Sequence, residues 1–154
     1  MPSTAPERFD ALTPWQSSAG AGPLLRGRRH DGPPAMLHFL HGNGFCGGVY
    51  WPMLQHLSGD YSLFCHDLEG HGDSDEPQRF AGADRLIARI PQVIADQGLA
   101  QRPDGGALIG IGHSYGAALT MRVAAANPSL FKALVLLDPI LLPDRYYYGT
   151  RLLA

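Results

Sequence analysis

Residues 107–127 read "ALIGIGHSYGAALTMRVAAAN". The first six, 107–112, form a short apolar run of the kind that makes a buried strand, and 115–127 are alanine-rich and favour a helix that Pro128 stops. Between them lies Gly-x-Ser-x-Gly, residues 112–116. In a chain with nineteen glycines the pentapeptide alone says little. Its position between a strand and a helix says more. A serine at a sharp strand-to-helix turn projects its Oγ above the sheet, and the flanking glycines allow strained angles and close approach. Ser114 is therefore the candidate nucleophile. The same turn puts the Tyr115 N–H at a helix N-terminus, where it can donate to a developing oxyanion.

Working outward, apolar runs alternate with amphipathic stretches. Strands are expected at 35–40 ("AMLHFL"), 61–67 ("YSLFCHD") and 132–138 ("KALVLLD"), with a shorter one within 22–34. Residues 49–57 place Val49, Tyr50, Met53, Leu54 and Leu57 at helical spacing, with Pro52 in the first turn. Residues 83–97 place Leu86, Ile87, Ile90, Val93 and Ile94 on one face of a helix kinked or broken near Pro91. Residues 1–21 are expected to be irregular, with room for one short strand. "RGRRH" (26–30) reads as a solvated turn between strands. The alternation implies βαβ units and a mostly parallel, doubly wound sheet. Chemistry in such sheets sits beyond the carboxyl ends of the strands, where 41–48, 68–75 and 112–116 are all glycine-rich loops.

The loop "HGNGF" (41–45) can supply a second amide donor, with Asn43 as the main one and Gly44 close behind. His41 reads as a loop histidine bonded to backbone. His113 cannot pair with the serine it adjoins and is read as packing. Together "FLHGNGF", "HDLEGHGDSD" and "GIGHSYGAALT" resemble the α/β-hydrolase fold, in its order and spacing. The resemblance covers about residues 22–142. It implies an oxyanion loop at 41–44, a structural loop matched by Asp67, Gly70, Gly72 and Ser74, and a nucleophile elbow at Ser114. Asp67 is expected to bond backbone in that loop. The resemblance also implies strand order 1-2-4-3-5-6-7-8, of which this chain reaches the sixth strand. Residues 143–154, with Tyr146, Tyr147 and Tyr148, fall where many members begin a helical cap.

In that family the acid and then the histidine base follow the serine. The seven histidines here are at 30, 38, 41, 56, 66, 71 and 113, all before Ser114. His41 and His71 are the only upstream residues that could substitute as base. Asp138 is a candidate acid, its alternative being a polar residue that closes the strand before Pro139. The expectation is an incomplete portion of a serine hydrolase acting on a carboxylic ester or related acyl compound through an acyl-enzyme, inactive on its own. The alternatives are a non-catalytic interaction module, a C–C bond hydrolase or a lipase. Dehalogenases and epoxide hydrolases of this fold use an aspartate nucleophile, so Ser114 argues against them.

The totals agree. With 154 residues the chain holds one domain, and a net charge of −2 gives no reason to expect nucleic acid or an anionic membrane as partner. Two cysteines, Cys46 and Cys65, make neither a disulfide framework nor a metal motif, and no cofactor or metal is expected. The first thirty residues lack the pattern of a signal peptide, so the cytoplasm is the expected compartment. The expected partner is a small acyl substrate, with possible association through a bare sheet edge at 132–138.

Overall fold

The computed structural model describes residues 8–79, 82–101 and 105–141. Six strands form one sheet: β1 (Thr13–Ser17), β2 (Leu25–His30), β3 (Met36–Leu40), β4 (Ser62–Asp67), β5 (Leu108–His113) and β6 (Ala133–Leu137). Their order is β1-β2-β4-β3-β5-β6. Only β2 runs against the rest, pairing antiparallel with β1 and β4, while β3/β4, β3/β5 and β5/β6 are parallel. This is the α/β-hydrolase sheet over part of the fold, with the strand order the resemblance implies. The expected cap start at 143–154 lies outside the described residues.

Side chains alternate across the sheet and so build two cores. On one face Met36, Leu40 and Phe64 pack with Leu86, Ile90, Val93 and Ile94 of helix α2 (Ala83–Asp96) and Leu119 and Val123 of helix α3 (Tyr115–Ala126). On the other, Leu37, Phe39, Leu63 and Ile111 pack with Trp51 and Leu54 of the short helix α1 (Trp51–Leu54). Every residue of β3 and β4 is buried.

The one short strand allowed for within residues 1–21 is β1, which brings Trp15 into the core, where its ring stacks on Phe64 with centroids 4.4 Å apart. Three local expectations change. "RGRRH" is not a turn but most of β2. Its arginines are held by acidic partners, Arg26 by Asp75 and Arg28 by Asp73, which lets a charged strand join the sheet. Helix α2 runs unbroken through Pro91, because burial of Ile90, Val93 and Ile94 on either side outweighs one lost backbone bond. Residues 47–57 form 3-10, α and 3-10 turns in succession rather than one amphipathic helix. Leu54 is buried there, while Val49 and Met53 face outward.

Helix α2 also buries Arg89, which sequence reasoning missed. Its Nε donates to Ala19 O at 2.9 Å and its Nη2 to Pro23 O, while Glu69, also buried, lies 3.7 Å from Nη1. Glu69 bonds Arg85 as well, so two arginines tie α2 to the loop after β4. A buried carboxylate needs such partners, since unpaired it would carry a desolvation penalty of several kcal/mol.

Candidate active site

The parallel strands end on one side, and the loops after β3, β4, β5 and β6 meet there. Ser114 sits between β5 and α3 with φ 53° and ψ −114°. No L-residue adopts that pair of angles without strain, typically about 1–3 kcal/mol. Ser114 is the N-cap of α3, and its carbonyl accepts the Ala118 N–H at 3.1 Å. A serine in that place ordinarily bonds the helix with its hydroxyl. Here the side chain makes no such bond.

Both glycines of the motif are there for space. A Cβ on Gly116 would lie 2.3 Å from Leu40 O and 2.4 Å from His41 O. A Cβ on Gly112 would lie 2.6 Å from the backbone of Gly116 and Ala117. The turn is therefore pressed against the end of β3 and doubled back on itself. That contact sets the loop beginning at His41 beside the serine turn. Asn43, two residues on, is exposed. Tyr115 is the first residue of α3.

The segment after β6 completes the surroundings. Ser114 N–H donates to Leu137 O at 2.9 Å, and Ile140 N–H reaches Ser114 O at 3.4 Å. Asp138 lies between them, exposed, with a left-handed φ of 46°. The structure thus places Asp138 alongside the serine turn. No described imidazole bonds it, as a triad acid would require.

The two candidate upstream bases are both engaged. Leu68 N–H donates to His41 Nε2 at 3.0 Å, so Nδ1 carries the proton and gives it to Gly42 O at 2.8 Å. Burial pushes the His41 pKa below its ordinary value. His71 has the same pattern: Gly44 N–H donates to Nε2 at 3.1 Å, and Nδ1 lies 3.0 Å from Glu69 O. Each ring has both nitrogens in backbone bonds and none left for a serine. The reading of His41 as a backbone-bonded loop residue holds. The bond to His71 also engages the Gly44 N–H, which removes the ground for Gly44 as an oxyanion donor.

The loop after β4 behaves as a scaffold. Asp67 accepts Gly47 N–H at 2.7 Å and Asp73 N–H at 3.1 Å. Ser74 Oγ donates to Asp67 O at 2.7 Å and accepts Arg26 N–H at 2.8 Å. A buried carboxylate and a buried hydroxyl thus satisfy the amides of Gly47, Asp73 and Arg26 and tie the loop to the segment after β3 and to β2. Cys46 and Cys65 are both free thiols, and burial raises the Cys65 pKa. Among the described residues no group of three or more His, Cys, Asp or Glu could hold a metal ion, and no helix is long and apolar enough to cross a membrane.

Comparison with known proteins fits this arrangement. The profile of the alpha/beta hydrolase family matches residues 39–154. Monoglyceride lipase of Mus musculus is 32% identical over 113 residues, which is 73% of this chain and 37% of the mouse protein. Lipase LipV of Mycobacterium tuberculosis is 32% identical over 111 residues, 72% of this chain and 40% of that one. The chain therefore spans about two fifths of the length of these relatives. Among solved structures, an alpha/beta hydrolase from Novosphingobium aromaticivorans superposes with a TM-score of 0.71 at 25% identity, over 81% of this chain and 43% of the other. The epoxide hydrolase CorEH does so with a TM-score of 0.72 at 20% identity, over 84% of this chain and 43% of that one, a likeness of fold alone.

Proposed function

From the premise that the chain belongs to the alpha/beta hydrolase family, we propose that it carries the nucleophile half of a serine hydrolase acting on carboxylic esters or related acyl compounds. The observation that carries this is Ser114: a strained non-glycine residue at a helix N-cap whose hydroxyl does no capping. Such strain persists only where the surrounding contacts hold it, and here the close fit of Gly112 and Gly116 does so. In the proposed reaction Ser114 Oγ attacks the acyl carbonyl. The amides of Asn43 and Tyr115 receive the oxyanion, and an acyl-enzyme forms that water then releases. An apolar acyl group suits the surroundings, because Phe45, Val49 and Met53 present exposed apolar side chains on the stretch that follows Asn43.

The base is proposed to come from a histidine outside this sequence, since the imidazoles of His41 and His71 are held by backbone. Asp138 is proposed as the acid that orients that ring, on the ground that it adjoins the serine turn. The relatives named lipases support a hydrolase of acyl esters, and an interfacial lipase is one form of this reading.

The test is labelling with a fluorophosphonate, followed by mass mapping of the adduct. The chain is expected to label slowly at Ser114, faster when free imidazole supplies a base, and not at all as Ser114→Ala. Equal labelling of the two proteins overturns the assignment. A second reading, a non-catalytic module on the same fold, is favoured by the engaged loop imidazoles. Absence of any adduct even with imidazole would support it.

A further inference from the structure

Tyr50 belongs to the turn after the 41–45 loop and contributes nothing to the reaction just described. Its hydroxyl nevertheless joins the two halves of the site. Gly42 N–H donates to Tyr50 Oη at 3.1 Å, and Oη lies 2.8 Å from His113 Nδ1. The hydroxyl oxygen has two lone pairs and one proton, so it accepts from Gly42 and still bonds His113 Nδ1, the direction of that second bond following the imidazole tautomer. Gly42 adjoins Asn43, and His113 adjoins Ser114.

We propose that Tyr50 is a positioning residue whose hydroxyl, bonded to Gly42 and His113, sets the spacing between the Asn43 amide and Ser114 Oγ. The proposal rests on the serine hydrolase reading above. The last ladder pair between β3 and β5 is Leu40 with Gly112, so beyond it the two segments have no strand pairing to hold them. Tyr50 Oη makes a bond on each side and so spans the gap. It can do so because Gly42 has no side chain: a Cβ there would lie 2.9 Å from His113 Nδ1. The phenol is itself held in place, with Phe39, His113 and Phe45 rings at centroid distances of 4.8, 5.6 and 6.1 Å. The hydroxyl is thus fixed by packing before it bonds either partner. Small displacements of oxyanion donors matter, since a shift of about 1 Å can cost on the order of a hundredfold in rate.

Tyr50→Phe keeps the ring and removes only the hydroxyl. The probe is butylboronic acid, titrated against the chain by 11B NMR. The Oγ–B bond forms, the hydroxyl proton passes to buffer, and the tetrahedral boronate presents an oxygen to the oxyanion amides. The wild type is expected to bind through Ser114, and Tyr50→Phe to bind about tenfold more weakly while melting within about 4 °C of wild type. His113→Leu is expected to match Tyr50→Phe. His113→Asn, whose carboxamide oxygen can take the place of Nδ1, is expected to recover most of the affinity. Equal affinity of wild type and Ser114→Ala overturns the hydrolase reading and this proposal with it. Ser114-dependent binding that Tyr50→Phe leaves within twofold overturns the positioning role alone.

Discussion

Strands β3 and β6 make an instructive pair. β3 is "MLHFL", with a histidine at its centre, and all five residues are buried. β6 is "ALVLL", wholly apolar, and none of its five is buried, with Leu134 37% and Val135 43% exposed. The more hydrophobic strand is the wetter one. β3 lies between β4 and β5 with apolar layers on both faces, whereas β6 pairs with β5 on one side only among the described residues. Hydropathy therefore marks a strand suited to burial, and its neighbours decide whether burial happens. An apolar strand paired on one side only among the described residues is also a surface for pairing. Association through β6 remains a proposal on that ground.

The sharpest way to break the contrast is at the tight end of β3. Gly116→Ala drives a methyl into Leu40 O and His41 O, which cannot retreat without moving the strand. It is expected to cost several kcal/mol, as overpacking against backbone does, and to leave little folded protein by circular dichroism.

The buried histidines come next. His38 and His66 face each other at 3.3 Å, and His38 Nδ1 and His66 Nε2 have no partner. Burial lowers the His38 pKa to about 3 and holds that of His66 well below its ordinary value. Between pH ~6.5 and that range the unfolded chain binds protons that the folded one refuses, so stability is full above pH ~6.5 and falls as pH drops. Each group contributes a slope of up to about 1.4 kcal/mol per pH unit. Urea unfolding from pH 7 to pH 4 is expected to show this decline, and His38→Leu to remove about half of it. A stability independent of pH over that range would contradict the burial of the pair.

Ser114→Gly tests the strain at the junction between the centre and the edge. Glycine adopts the observed angles freely, so the variant is expected to gain about 1–2 kcal/mol in unfolding free energy while losing all fluorophosphonate labelling. A loss of stability would mean the turn is not strained. The smallest effect is expected at the open edge. Val135→Lys should change stability by no more than about 0.5 kcal/mol, since the side chain is already well exposed. It should also reduce any self-association seen by sedimentation. A large destabilisation would show that β6 is better covered than its exposure indicates.

Much of the site was legible because its requirements are local. Ser114 between two glycines, a strand before and a helix after, is a short-range pattern, and Asp67 as a backbone-bonding residue follows from its glycine-rich loop. The readings that failed were those that depend on partners far along the chain. Arg26 and Arg28 look like a turn until Asp75 and Asp73 are seen beside them. Arg89 looks like the polar face of α2 until Glu69 and two carbonyls appear. By spacing alone Tyr50 reads as one apolar residue of a helix, and His113 as packing. Their hydrogen bond spans sixty-three residues, and no spacing rule reaches that far.

The sequence by itself determined the alternation of strands and helices, the turn at Ser114, and the α/β-hydrolase family to which those motifs point. These follow from hydrophobic period and from what glycine, proline and serine permit in a few consecutive residues. Tertiary structure alone decided which strands are dry, and which imidazoles are already engaged. It also decided which hydroxyl braces Gly42 against His113. Burial and hydrogen bonding are properties of neighbours in space, and the chain brings those neighbours together only when folded.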